Sequence, residues 1–238
     1  MISKASLEWI DFSHHSLLFD GDAIERSTTF FTGIAYGYDK HAEELDEEPE
    51  IEKLGWINGC LIDIGYEPGE EVDIHEALDM HAALAGFVEL FEPGNQYTEA
   101  VHLAMMNEED PGHDNMPDGL LLIDEIYIDP KFRGLNFSKT MIDQAIRWYK
   151  GEAHIAALLA IPSQDPARDK RNRELQKTLN VISFADAKPE VAENKLIRRF
   201  ENCGFNSLQG NRKLMVRDVT SNASLEYLKS TLKGIKPN

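Results

Sequence analysis

The chain of 238 residues has only two cysteines, Cys60 and Cys203. They match no metal-ligand spacing, and two thiols in a chain of this size do not build a disulfide framework. Long hydrophobic runs are also missing. The longest apolar stretches, such as Ala82 to Val88, fall far short of the roughly 20 residues that a membrane helix requires. The opening segment, MISKASLEWIDF, has no apolar core of a secretory leader. These absences point to a reducing, cytoplasmic setting with no membrane segment. No internal repeat and no collagen-like, Gln-rich or Pro-rich tract occurs, which excludes solenoid and fibrous classes. The nucleophile signature G-x-S-x-G is absent too. His75 and His81 are six residues apart and so lie on different faces of any helix. His14-His15 and the loop Asp110 to Asp114 lack the remaining ligands of a metal site. No metal is expected.

Positive charge is scarce in one half only. Residues 1–119 carry 28 acidic side chains against 4 basic ones, a net −24, whereas residues 120–238 carry 14 against 20, a net +6. An acidic half cannot neutralise nucleic-acid phosphates, so nucleic acid is not an expected partner. It would attract a cationic acceptor, and the basic half suits a ligand rich in phosphates; equally, the two fields can serve solubility alone. The acidic run 43–52, EELDEEPEIE, reads as a solvated loop.

Patterning organises the chain as follows. Strand-like segments lie at Leu7 to Phe12, Thr28 to Tyr38 and Leu54 to Tyr66, the last with a hairpin or bulge at Gly59-Cys60. From Ile74 to Phe91, apolar residues recur every three or four positions, which predicts one amphipathic helix ending before Pro93-Gly94. A second helix is expected from Thr98 to Met106, then a polar loop to Gly119. Gly119 to Asp129, GLLLIDEIYID, reads as a buried strand stopped by Pro130. Phe137, Met141, Ile142, Ala145, Ile146 and Tyr149 make one apolar helical face. His154 to Ile161 is a further strand, so the three elements form a β-α-β unit with parallel strands. A basic helix over residues 165–180, a helix from Val191 to Asn202 ending at Gly204, and a strand from Lys213 to Val219 complete the reading. The 165–180 helix reads as a solvated face or as a reach toward a ligand phosphate.

Between the β-α-β strand and helix lies Asp129-Pro130-Lys131-Phe132-Arg133-Gly134-Leu135-Asn136-Phe137-Ser138. A tight turn opening a helix presents unpaired N–H groups at the positive end of the helix dipole, a combination that binds phosphate. Here the chain resembles the GNAT N-acetyltransferase superfamily, whose turn is R/Q-x-x-G-x-G/A. Arg133 takes the leading place, Asn136 the first glycine place and Ser138 the glycine-or-alanine place. Asn tolerates a left-handed backbone and Ser is only slightly larger than Ala. Downstream, Asn194 to Phe205, NKLIRRFENCGF, resembles the family's closing motif N-x-x-A-x-x-L-Y-x-x-x-G-F. Asn194 is one residue out of register and Phe200 stands where the family often has a general-acid tyrosine.

The resemblance covers some 90 to 100 residues and implies an α/β fold of one GNAT-like domain over residues 1–238: a mixed, mostly antiparallel sheet flanked by helices and splayed where acetyl-CoA enters. It implies an acyl-CoA-binding core over 119–219, an acidic half over 1–118 that shapes the acceptor site, and a tail over 220–238. It further implies that Ile126, Tyr127 and Ile128 contact the pantetheine arm and that Arg133, Gly134, Leu135, Asn136, Phe137, Ser138 and Lys139 hold the diphosphate, with Asn194 and Phe200 nearby. The acceptor would be a small-molecule or peptide amine, and a homodimer is among the assemblies it allows. Counting by two from Ile128 along the strand passes Ile126 and reaches Asp124, the candidate base; Glu125 takes that place if the strand is bulged.

Overall fold

The computed structural model describes residues 5–16, 28–39, 50–64, 74–79, 84–105, 119–161 and 189–219. The basic segment 165–180, most of the acidic run, most of the loop after residue 106 and the tail over 220–238 lie outside the described residues.

Three twelve-residue strands begin the fold: β1 (Ala5–Ser16), β2 (Thr28–Asp39) and β3 (Glu52–Asp63), each antiparallel to the next. Their apolar residues occupy both faces, Phe31 and Ile57 toward one core and Phe30 and Ile62 toward the other, because successive side chains of a strand point to opposite sides. After α1 (Ile74–Asp79), a 3₁₀ turn (Ala85–Leu90), the small hairpin β4 (Phe91–Glu92) and β5 (Gln96–Tyr97), and α2 (Glu99–Met105), the chain enters β6 (Gly119–Ile128), antiparallel to β3. Helix α3 (Phe137–Trp148) then crosses over to β7 (Ile155–Leu159), parallel to β6. Helix α4 (Pro189–Glu201) leads to β8 (Asn206–Ser207) and β9 (Leu214–Asp218). Among the described residues one seven-stranded sheet results, in the order β1-β2-β3-β6-β7-β9-β8, with β6-β7 its one parallel pair. This is the mixed, mostly antiparallel α/β architecture expected from the sequence.

One sequence expectation is corrected and one is narrowed. The helix predicted over Ile74 to Phe91 is not continuous: α1 covers Ile74–Asp79 and Ala85–Leu90 is a 3₁₀ turn. Its apolar spacing still buries Phe87 and Leu90, because residues three apart share a side in a 3₁₀ turn as well. Gly94 and Asn95, both at positive φ, then reverse the chain into β4-β5, and the Asn95 side chain accepts a hydrogen bond from the Ile74 backbone at 3.0 Å. At Gly59-Cys60 no hairpin forms and β3 runs on, but the other alternative expected there, a bulge, is present in its pairing with β6. The irregularity sits opposite, in β6, where Asn58 pairs with Glu125 but Gly59 pairs with Ile123, leaving Asp124 as an extra residue. Gly59 permits it: a Cβ there would meet the carbonyl oxygen of Leu122.

The sheet separates two apolar cores. On one side the faces of α3 and α4 pack Met141, Ile142, Ile146, Ile197 and Phe200 over Phe31, Ile57, Leu121 and Ile123. Burying each such side chain contributes about 1.5–3 kcal/mol. A buried ion pair ties this layer to β9: Arg217 Nη1 donates to Asp143 Oδ1 at 2.9 Å and to the Cys203 carbonyl at 2.7 Å. On the other side α1, the 3₁₀ turn and α2 cover Cys60, Ile62, Leu120, Leu122, Ile155 and Val216.

Candidate functional site

The ladder between β6 and β7 joins Leu120 through Ile123 to Ile155 through Leu158 and goes no further, while β6 continues to Ile128 along β3. Among the described residues, then, β6 has no ladder partner on its β7 side past Ile123, and the pairing of the two strands parts there as a splay. The Asp124 bulge stands at the start of this splay.

The bulge changes which residues face which way. Leu121 and Ile123 lie in the core beneath α3; beyond the extra residue it is Ile126 and Ile128 that pack against that same core. The count by two from Ile128 to Asp124 thus fails, because a bulge shifts side-chain parity by one. Glu125 and Tyr127 instead face the opposite side with Trp56 and Asn58. Trp56 and Tyr127 stack with centroids 4.0 Å apart. Glu125 Oε2 accepts from Trp56 Nε1 at 3.4 Å and from Asn58 Nδ2 at 3.3 Å, and Asn58 Oδ1 accepts from Thr32 Oγ1 at 2.9 Å. Asp124 is close enough to Cys60 that its charge adds to burial in pushing the Cys60 thiol well above the usual range. The Tyr127 phenol is raised by burial and by Asp129, against the opposing effect of Arg133.

At the end of β6, Asp129 accepts a hydrogen bond from Lys131 N at 2.9 Å and Pro130 to Phe132 form a 3₁₀ turn. Arg133 folds back so that Nε donates to the Ile128 carbonyl at 3.0 Å. Gly134 has φ +87, and Asn136, the N-cap of α3, has φ 65 and ψ 12. Asn136 therefore supplies the left-handed conformation that a glycine would otherwise give. Among the described residues, the backbone N–H groups of Gly134 through Ser138 donate to no backbone carbonyl. No acidic residue stands in the first turn of α3. Instead Arg199, on α4, reaches over the turn: Nη1 donates to Asn136 Oδ1 at 2.6 Å and Nη2 to Ser138 Oγ at 2.9 Å. A guanidinium at the positive end of a helix dipole is unfavourable on its own and favourable once an anion arrives.

The structure brings Arg133, Gly134, Leu135, Asn136, Ser138 and Lys139 into one turn beside the splayed end of Ile126, Tyr127 and Ile128. Phe137 is buried in the core rather than exposed to the turn, and Phe200 is 9% exposed in the same core. Asn194 is exposed on α4, and its side chain makes no hydrogen bond among the described residues. Sequence reasoning did not single out Arg199, Trp56, Asn58 or Thr32. The one available signal was the Arg198-Arg199 pair just before Phe200. Among the described residues no group of three or more His, Cys, Asp or Glu could hold a metal, and no helix is long and apolar enough to cross a membrane.

No protein-family profile matches the chain, and no curated protein matches it in sequence. Among solved structures, it is similar to the crystal structure of Arabidopsis thaliana NAA60 in complex with acetyl-CoA, at 12% identity and a TM-score of 0.35, covering 78% of this chain and 76% of that one.

Proposed function

We propose that this protein is a GNAT-type N-acetyltransferase that moves an acetyl or other acyl group from its coenzyme A thioester to an amine. The observation that carries the reading is the coincidence of the β6-β7 splay with a left-handed turn at a basic helix N-terminus. A long thioester needs both features: a strand edge for its amide-rich arm and unpaired N–H donors for its diphosphate. In this reading the arm pairs with the edge at Ile126 to Ile128, which no described strand occupies on the β7 side, and the diphosphate sits on the Gly134 to Ser138 amides with Arg199, Arg133 and Lys139 around it.

The chemistry is an attack by the amine nitrogen on the thioester carbonyl, followed by C–S cleavage and loss of one proton from the nitrogen. Glu125, turned outward by the bulge, is the base we assign, with Asp124 beside it. Phe200 cannot protonate the departing sulfur. A thiolate, whose conjugate acid has a pKa of about 8.5, is a weak enough base to leave unassisted. The whole chain forms one such unit, with 119–219 binding the donor and 1–118 shaping the acceptor site. A second reading, binding of acyl-CoA without turnover, is favoured by the absence of a hydroxyl at Phe200.

Calorimetric titration with acetyl-CoA tests the proposal. Micromolar binding is expected. Gly134→Pro should abolish it, since proline cannot adopt φ +87. Arg199→Ala should weaken it about 10- to 100-fold, the contribution of a charge-assisted hydrogen bond. If Gly134→Pro binds acetyl-CoA as well as the parent does, the donor site is elsewhere. Turnover of a screened amine separates the two readings.

A further inference from the structure

The large sheet ends on β1, and among the described residues no strand pairs with its outer side. Twelve residues of strand there leave a row of backbone N–H and C=O groups outside any ladder. We propose that β1 is a docking edge for an extended basic segment of another protein, which adds a strand beside it with basic side chains on one face and apolar side chains on the other. The proposal goes beyond acyl transfer and does not need coenzyme A, because β2 and β3 stand between β1 and the β6-β7 splay.

A bulge at Glu8 decides which side chains flank this edge. Leu7 pairs with Gly37 and Trp9 with Tyr36, so Glu8 is the extra residue and side-chain parity shifts by one beyond it. Leu7, Ile10 and Phe12 then all pack, half-buried, against the core beneath α3. Trp9, Asp11 and Ser13 look away from that core, opposite Tyr36, Ile34 and Thr32. Each face of the edge carries a partly exposed tryptophan. On the face away from α3, Trp9 stacks on Tyr36 at 5.4 Å and stays 40% exposed. On the α3 face, Trp148 stacks on Phe12 at 5.2 Å, donates from Nε1 to His14 Nε2 at 3.1 Å, and stays 54% exposed. Two of the chain's three tryptophans therefore border one unpaired strand, from opposite sides. A strand added there gains backbone hydrogen bonds from the edge and buried aromatic area from both rings.

Charge selects the partner. Edge strands are commonly guarded against unwanted pairing by bulges and by charged side chains, lysine above all. β1 contains no lysine or arginine; its guards are Glu8 and Asp11, both exposed. Among the described residues neither acid has a cationic partner, and no cation lies over Trp9 or Tyr36. Like charges facing each other across a ladder repel, so these guards oppose a second copy of the same strand and admit one with lysine or arginine at alternate positions. Such side chains would lie beside Asp11 and against the Trp9 ring. The positions between them would face Ile10, Phe12 and Trp148, where β-branched side chains fit. The net charge of −24 over residues 1–119 steers a basic partner toward this half.

The tryptophans report on the edge directly. Their three indole ¹H–¹⁵N signals are assigned with Trp9→Phe and Trp148→Phe, which leaves Trp56 as an internal control two strands away. Titration of the full chain with the peptide acetyl-Lys-Val-Lys-Val-Lys-Val-Lys-amide should move the Trp9 and Trp148 signals saturably and slow hydrogen exchange of the β1 amides. The Trp56 signal should stay in place, and the same peptide with glutamate for lysine should move none of the three. Asp11→Lys, at an exposed position that the fold does not need, should weaken the lysine peptide about 5- to 10-fold, because an attractive cross-strand pair becomes a repulsive one. It should strengthen the glutamate peptide. Trp9 and Trp148 signals that stay still, that respond equally to both peptides, or that respond unchanged in Asp11→Lys overturn the proposal. So do signals that shift with protein concentration alone, which would assign the edge to a second copy of this chain.

Discussion

The two faces of β2, β3 and β6 have different chemistry at the same height in the sheet. Toward α3 they present Phe31, Ala35, Ile57, Ile126 and Ile128; away from it they present Thr32, Tyr36, Trp56, Asn58, Glu125 and Tyr127. The first face is a packed interior. The second is half-exposed, aromatic and polar, with a carboxylate at its centre. One inserted residue produces the contrast in β6. Without Asp124 as the extra residue, an unbroken alternation from Ile123 would send Glu125 into the core and turn Ile126 and Ile128 out, at the cost of burying a carboxylate and exposing two isoleucines. The bulge is what lets one strand end in both a core and a candidate site.

The largest effect should come from breaking the interior face. Asp143→Ala leaves the buried Arg217 guanidinium without its carboxylate partner, and should destabilise the fold by about 3–5 kcal/mol, read as a fall in the urea midpoint with little change in slope. A loss under about 1 kcal/mol would mean that the pair is not a structural tie.

The next effect sharpens the comparison across the bulge. With an acceptor in hand, Glu125→Gln should lower turnover by about 10² to 10⁴ fold, the usual contribution of a general base, with little change in acetyl-CoA affinity. Asp124→Asn should cost much less. If the order is reversed, the base is the bulged residue and not the one the bulge turns outward.

The smallest effect concerns the two thiols, one in each core. Burial raises the Cys203 thiol to about 11, with Arg199 opposing and Asp143 adding, and pushes Cys60 higher still. Both should resist an aromatic disulfide reagent at pH 8 in the native state and react at once in urea, because the thiolate is the nucleophile. A thiol raised in the folded state contributes stability that is complete below its unfolded value near 9 and is lost as pH climbs toward 11. The urea midpoint should therefore hold from pH 7 to 8.5 and decline above 9; a midpoint that stays level to pH 11 would contradict the burial of these groups.

The amino-acid sequence by itself determined the β6-α3-β7 unit, the closing helix and the turn between them, because each depends on local periods and local backbone preferences. Pro130 stops the strand, Asn136 can take a left-handed backbone, and Gly204, at φ +83, ends α4 where a helix-terminating glycine was expected. Segment 74–91 was legible only as an apolar face, since α-helical and 3₁₀ turns share that spacing, and the hairpin beyond it decided the outcome. Three things belonged to the tertiary structure alone. The bulge was visible in the sequence only as a glycine on the wrong strand, because parity in β6 is set by its pairing with β3 and not by its own residues. Arg199 reaches Asn136 across 63 positions, a distance no local pattern encodes. The row Thr32-Asn58-Glu125 comes from three strands whose register is fixed by the cores on either side, so its members acquire a common chemistry only once the sheet has formed.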